Sequence, residues 1–427
     1  MKFKPYEKYK KVDLPWIDEI PSHWEINKVK YKFDLVKEPS IDKQPTVLSL
    51  TQRGIKIRDI ESNEGQLAKS YEGYNTVKKG YICLNPMDLE SGAASKSDYN
   101  GVISNAYFTI RPKGLDINSD FYSKYFNLHY KKKIFYGFGK GVGRPEGSGG
   151  RWTLNRETFI NFPILFPSKE EQDKIADFLD HNLAKIDKFV ELTERQIELL
   201  KEQKEVIIND AVTKGIDKNV EYKDSGIDWI GDIPEHWEVT RLKSIVENIV
   251  SGVWGEDPKN DDNDIICIRV ADFDMKKLSA SKNKLTLRNI DFDKNKARIL
   301  KKGDLLLEKS GGGEKQPVGR VIQYKFEEKA VCSNFITKFT PKKLVSSKFL
   351  LLTLHNIQLR RRHIAFINQT TGIQNLDINK YFSNKILFPP KKEQEEIVAY
   401  IEKETNKIDR TIELYKNQIK LIKEYRT

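Results

Sequence analysis

Residues 16–25 read WIDEIPSHWE, and residues 229–238, 213 positions later, read WIGDIPEHWE. Trp16, Ile20, Pro21, His23 and Trp24 recur as Trp229, Ile233, Pro234, His236 and Trp237. A second pair of stretches, ILFPSKEEQDKI at 164–175 and ILFPPKKEQEEI at 386–397, is offset by 222. Two anchors repeated in the same order mark a duplication, which outranks any local pattern as a guide to architecture. The offset grows by 9 between the anchors, so the ends of the unit match while its interior differs in length and content. The expectation is one frame built twice about a pseudo-twofold axis and holding two different interiors.

Each interior, 25–166 and 238–388, is rich in short β-prone runs (TVLSL, YICL, AYFTI; IICIRV, DLLLE, RVIQY, NFITKF) separated by Gly, Pro, Asn and Asp. That pattern predicts an α+β globule with a small mixed or antiparallel sheet. A proline then precedes a charged, glycine-free stretch, 169–214 and 391–427, as at a helix start. Apolar positions recur there at steps of mostly three and four. The first series is Ile175, Leu179, Leu183, Ile186, Val190, Ile197, Leu200, Ile207 and Ala211, interrupted by Thr193 and Lys204. The second is Ile397, Ile401, Ile408, Ile412, Tyr415, Ile419 and Ile422, interrupted by Thr405. A mean step near 3.5 is a coiled-coil seam. At ~1.5 Å per residue the first helix would be roughly 69 Å long. Mutual packing of the two helices is expected, antiparallel if the pseudo-twofold lies across them. Two independent amphipathic helices, each on its own globule, are the alternative.

The chain thus divides into an N-terminal anchor segment (1–24), a first globule (25–166), a central long helix (167–215), a linker with the repeated anchor (216–237), a second globule (238–388) and a C-terminal long helix (389–427). Thr427 corresponds to Glu205 of the first repeat, so the second helix is expected to be naturally short or truncated, with one seam end lacking a partner.

Over 427 residues, 74 Lys and Arg against 62 Asp and Glu leave a net charge of +12. The length suits two or three domains. A hydrophobic fraction of 38% is low, but 21 Phe, 18 Tyr and 6 Trp suffice for cores and argue against disorder. Cys83, Cys267 and Cys332 lie too far apart in sequence for a disulfide framework or a CxxC zinc site. No apolar run approaches the ~20 residues of a membrane span, and MKFKPYEKYK lacks the apolar stretch of a signal peptide. A soluble, cytoplasmic protein without metal or cofactor is expected. The charge is unevenly placed: the two helical stretches sum to −3, so the remainder carries +15. Basic globules on a near-neutral spacer point to a polyanion.

In the first globule the candidate contacts are Arg53, Lys56 and Arg58 in TQRGIKIRD, and Lys140, Arg144 and Arg151 in YGFGKGVGRPEGSGGRWTL (136–154). There the glycines allow close backbone approach, and Arg can read guanine O6 and N7 with two hydrogen bonds. A mobile surface loop with solvated charges is the alternative for that stretch. In the second globule SGVWGEDPK (251–259), IRVADFD (268–274) and GDLLLEKSGGGEKQPVGR (303–320) supply Lys259, Arg269, Lys309, Lys315 and Arg320. Arg362 lies in the run Arg360–His363, where three consecutive helical positions cannot face one way, so phosphate contact or a solvated face fits better than base reading. The repeated tryptophans flank Ile-Pro turns and are expected to plug each globule onto its helix junction.

Enzyme motifs fail on inspection. Asn85-Pro86-Met87-Asp88 resembles the NPP(Y/F) motif of adenine methyltransferases but lacks the second proline and the stacking aromatic. No strand–turn–helix pattern frames FGKGVG (138–143), and SGGGEKQP departs from a GxxxxGK[ST] phosphate loop. Asp304, Glu308 and Lys309 resemble a nuclease carboxylate set, yet Glu and Lys are adjacent where such nucleases space them by one residue. No catalytic residues are assigned; binding is expected rather than reaction.

WIGDIPEHWEV, a variable region with KKGDLLLEKSGG and TTGIQNLDI, and FPPKKEQEEI leading a long helix closely resemble the specificity subunit of type I restriction–modification enzymes. The junction AVTKGIDKNVEYKDSGIDWIGDIPEHWEV (211–239) resembles that family's linker, and the likeness covers nearly the whole chain. The resemblance implies two target-recognition domains held by helices packed as an antiparallel coiled coil. Each domain would read half of a split sequence in double-stranded DNA, with two methyltransferase subunits and restriction/translocase subunits assembled on the chain. RWTLNRETF (151–159) stands where the second repeat has GIQNLDINKY, so the first approach loop is expected to differ. A stand-alone nucleic-acid scaffold or defence adaptor, and a divergent metal-dependent nuclease, are the competing classes.

Overall fold

The computed structural model describes residues 5–425 except 43, 63–67, 69, 143–150, 284, 314–315 and 371–372. It forms two compact units, Met1–Glu191 with Lys420–Thr427, and Leu192–Ile419.

In each unit the two sequence anchors meet. Glu25–Lys28 pairs antiparallel with Pro163–Phe166, from Glu25↔Phe166 to Lys28↔Pro163. Glu238–Arg241 pairs with Lys385–Phe388, from Glu238↔Phe388 to Arg241↔Lys385. The variable interior therefore enters and leaves through one short ladder. A one-turn helix follows each first strand, Val29–Lys32 with Val29 buried or Leu242–Ile245 with Leu242 and Ile245 buried.

The interiors share a helix-on-sheet plan with different fillings. In the first, Phe33–Leu35, Phe108–Pro112, Ile82–Leu84 and Ala94–Lys96 form an antiparallel sheet. The helix Ser119–Lys131 packs with it in a largely aromatic core containing Tyr122, Phe126, Phe135, Phe159 and Phe162. In the second, Val246–Ser251, Ile336–Pro341, Leu305–Glu308 and Val321–Gln323 continue into two short strands, one of them parallel. Its helix, Ser347–Leu359, packs Leu350, Leu354 and Ile357 on Leu305 and Leu307. Both helices have 13 residues and an N-cap side chain: Asn118 accepts from Phe121 N at 3.0 Å, and Ser346 from Phe349 N at 3.4 Å.

The likeness extends into the segment expected to differ. RWTLNRETF supplies a hairpin strand, Arg151–Thr153, then Asn155 capping the short helix Arg156–Ile160. GIQNLDINKY supplies the strand Ile373–Leu376, then Asp377 capping Ile378–Ser383. Asn and Asp are interchangeable caps, so the same local structure survives without matching letters.

The long helices run Lys169–Lys214 and Lys391–Tyr425. In the second unit Ala211 and Val212 share a buried cluster with Ile397 and Val398, while Lys204 Nζ reaches Asp409 Oδ2 at 2.7 Å. One number falls as the other rises, so the pair is antiparallel. Ile397, Ile401, Ile408, Ile412 and Ile419 are buried, as is Ile197. Ile175, Leu179, Ile186, Val190, Leu200 and Ile422 are half-buried. Thr193 and Thr405 do not break the seam; both are buried, and Thr405 Oγ1 donates to Ile401 O at 2.7 Å. Near the end of the first helix Ile207 is half-buried, and Ile208 and Val212 join Ala211 on the buried face, because Trp237 and Phe349 cover it together with the partner helix. Among the described residues no helix is long and apolar enough to cross a membrane.

The repeated side chains close each junction. His23 Nε2 lies 2.9 Å from Glu171 Oε1, to which Trp24 Nε1 donates at 3.2 Å. His236 Nε2 and Trp237 Nε1 meet Glu393 at 2.8 and 3.0 Å. The adjacent glutamines are fully buried. Gln172 Nε2 donates to Pro167 O (2.9 Å) and Asp116 O (3.1 Å), and its Oε1 accepts from Asn118 N (2.8 Å). Gln394 repeats this with Pro389 O (2.8 Å), Leu344 O (3.4 Å) and Ser346 N (2.7 Å). Trp16 instead stacks on Phe162 in the first core, 5.2 Å between centroids.

This clasp has a pH consequence. Burial pushes the Glu171 carboxyl up, but hydrogen bonds from His23, Trp24, Ser168 and Tyr6 outweigh it and bring the pKa to about 2. A carboxyl titrating below its unfolded value of about 4.3 contributes stability that is present above that pH and lost as pH falls toward 2. Glu171→Gln should therefore flatten the acid-unfolding curve between about pH 4.3 and 2, followed by tryptophan fluorescence. An acid limb identical to the parent's would exclude this carboxylate as its source.

Candidate nucleic-acid interface

The three loops singled out in the second globule converge on one concavity of about 530 Å³. Trp254 comes from the first loop, Arg269 from the second, and Glu308, Gly311–Gly313 and Arg320 from the third, with Phe335 completing the lining. Antiparallel pairing of Leu305–Glu308 with Val321–Gln323 brings Glu308 and Arg320 side by side. Arg320 Nε and Nη2 donate to Glu308 Oε2 and Oε1 at 2.8 and 2.9 Å, and the Glu308 side chain is 2% exposed. Arg269 Nε and Nη2 donate likewise to the buried Asp272, at 3.2 and 3.0 Å, across a single 3₁₀ turn. The hydrogen bond to Asp272 raises the Arg269 pKa further, keeping that guanidinium charged.

Trp254 stands on a loop that Arg288 contacts at several points. Arg288 lies 4.6 Å from its ring centroid, donates to Trp254 O and Gly255 O at 3.1 and 3.2 Å, and pairs with Asp257. At Gly252 a Cβ would meet Cys332 O and Ser333 O at 2.2 Å, so the loop packs backbone to backbone there. The glycine-bearing strand Ser310–Gly311 pairs with Ile373–Leu376, and Ser310 Oγ donates to Asn375 Oδ1 at 2.6 Å.

The other candidates are dispersed. Lys309 Nζ donates to Ser251 Oγ at 2.6 Å. Lys259 is exposed and paired with Glu256 at 2.6 Å. Arg362 is exposed, 5.8 Å from the Trp229 ring centroid. In the first globule Arg53 and Lys56 are exposed on the hairpin Leu48–Thr51/Gly54–Ile57, and Arg58 is half-buried at its end. Lys140 is exposed on a second hairpin opposite Thr153, steadied by the Tyr136 and Trp152 rings 4.4 Å apart. Arg144, Lys315 and the Arg151 side chain lie outside the described residues. Sequence reading missed Trp254, Phe335 and the two buried carboxylates as partners. The one signal was the composition of the loops that carry Trp254, Asp272 and Glu308.

The residues of the enzyme-like motifs have structural partners. Asp304 faces Lys338 Nζ at 3.3 Å and accepts from Thr340 Oγ1 at 2.7 Å, while Glu308 is held by Arg320. Among the described residues no cluster of three or more His, Cys, Asp or Glu is placed to hold a metal ion. Asn85 and Asp88 accept from backbone N–H groups of their own turn at 3.0 Å. Burial pushes the three cysteine thiols up to about 12.

Two different interiors are thus mounted on one repeated clasp, and each leads into a long helix. Residues 23–202 and 234–424 match the family model described as Type I restriction modification DNA specificity domain, and the chain belongs to this family. It is 29% identical over 170 residues to the type I restriction enzyme MjaVIII specificity subunit of Methanocaldococcus jannaschii, covering 40% of this chain and 36% of that one. It is 26% identical over 246 residues to the StySPI specificity subunit of Salmonella potsdam, covering 57% and 50%. The matches span at most 60% of the curated relatives' own length. In fold it is similar to the HsdS subunit of Thermoanaerobacter tengcongensis, with TM-score 0.57 and 14% identity over 95% of this chain and 97% of that one. A chain from a type I R-M system gives TM-score 0.64 at 13% identity over 95% and 96%.

Proposed function

We propose that the chain is the DNA sequence-specificity subunit of a type I restriction–modification complex. It binds an asymmetric, bipartite target in double-stranded DNA through two recognition domains, 25–166 and 238–388. It scaffolds two methyltransferase subunits and the restriction/translocase subunits, and works in the cytoplasm. The observation that carries this reading is the duplicated clasp around unlike interiors: identical mountings with different loops are what two unlike half-sites require. The excess of +15 outside the helices supplies phosphate contacts, which give most of the affinity, while base edges give the discrimination. One face of B-DNA returns every ~34–36 Å, so a stiff helix pair acts as a ruler between half-sites.

Mapping methylated adenines in a host that carries this chain with methyltransferase and restriction subunits should reveal a two-part site with a fixed gap. The purified chain alone should neither cleave nor methylate DNA. Methylation at a continuous, unsplit site, or activity without added subunits, would overturn the reading.

A further inference from the structure

We propose that the concavity of the second globule receives one nucleobase displaced from the DNA stack, with Trp254 as the ring it stacks against. This rests on the DNA-binding reading above and adds how one position of the target is read.

Arg269 and Arg320 are each matched by a buried carboxylate, so these four groups leave the floor without net charge. A phosphate gains little there. A guanidinium carries five N–H donors and each bidentate pair uses two, so donors remain for the carbonyl oxygens and ring nitrogens of a neutral base. Trp254 and Phe335 are 39% and 47% exposed, large apolar rings left open beside Gly311, Gly312 and Gly313, where no side chain keeps a flat ring from the backbone. The volume, about 530 Å³, is that of a small-molecule pocket. Arg288 holds Trp254 by ring contact and by its backbone, so little ordering opposes stacking on it.

A base that must leave its pair binds more readily when the pair is already broken. The full chain is therefore titrated with its mapped target duplex, in which the pairing partner at every position of both half-sites is replaced in turn by an abasic site. We expect one position at which this replacement tightens binding roughly tenfold. Trp254→Ala should weaken binding to the intact duplex about ten- to hundredfold and abolish that gain, while Trp254→Phe keeps most of both. The scan on the unaltered protein is decisive whether or not the variants fold. Specific binding with no position that tightens would overturn the proposal and leave the DNA reading intact. Failure to bind the mapped target specifically would overturn both.

Discussion

Exchanging residues 29–162 for the interior of another member of this family should replace one half of the recognised sequence and leave the other half and the gap unchanged. The cut points follow from the clasp. Residues 25–28 and 163–166 remain as a paired ladder, and Trp24, Glu171 and Gln172 still join it to the helix start. Most of each core comes from its own interior, aromatic in the first and mainly aliphatic in the second, so a transplanted interior brings most of its packing with it. Specific DNA binding typically exceeds non-specific binding by about 10³ to 10⁷, and a site wrong in one whole half forfeits several decades of that. Methylation maps of the parent and the exchanged chain give the comparison directly. New bases in both halves would show that the globules are not independent readers.

Arg320→Ala should destabilise the second unit by about 3–5 kcal/mol. Glu308 closes a strand whose four residues are all buried, and its carboxylate faces the Arg320 fork at 2.8 Å. Removing the cation leaves a carboxylate that is 2% exposed without its compensating charge. Thermal or urea unfolding measures the loss, roughly 6–20 °C in melting temperature for a unit of this size. Replacing both partners by apolar residues, Glu308→Leu with Arg320→Met, should recover most of the stability, because the isolated charge is the costly species. That double variant separates stability from recognition: it should fold well and still bind its target poorly. If Arg320→Ala melts with the parent, the floor of the concavity is not built on this pair.

The cation assignments show where sequence reading stops. Arg269 and Arg320 are legible from their charge and their loops, and both line the concavity. Their carboxylate partners are not legible, for different reasons. Asp272 is only three residues from Arg269, but nothing in IRVADFD announces the turn that folds one onto the other. Glu308 is twelve residues from Arg320 on a neighbouring strand, and its position beside Lys309 suggested a nuclease instead. Charge is a property of a residue, whereas pairing depends on the turn or strand register that brings two residues together.

What the sequence determined by itself was the duplication, the two long helices and their seam. Helical periodicity is local, and identity persists where the same contacts must be made twice: His23 and Trp24 on Glu171, His236 and Trp237 on Glu393. That the two anchors of each repeat are partners is a product of tertiary folding. Glu25 and Phe166 are 141 residues apart, and Glu238 and Phe388 are 150 apart, yet each pair sits in one ladder. Strand pairing at that separation follows from how the intervening globule folds back, and no local pattern carries it. The same holds for the concavity. Its loops were legible one at a time, but their convergence, and the neutral floor beneath Trp254, are products of packing.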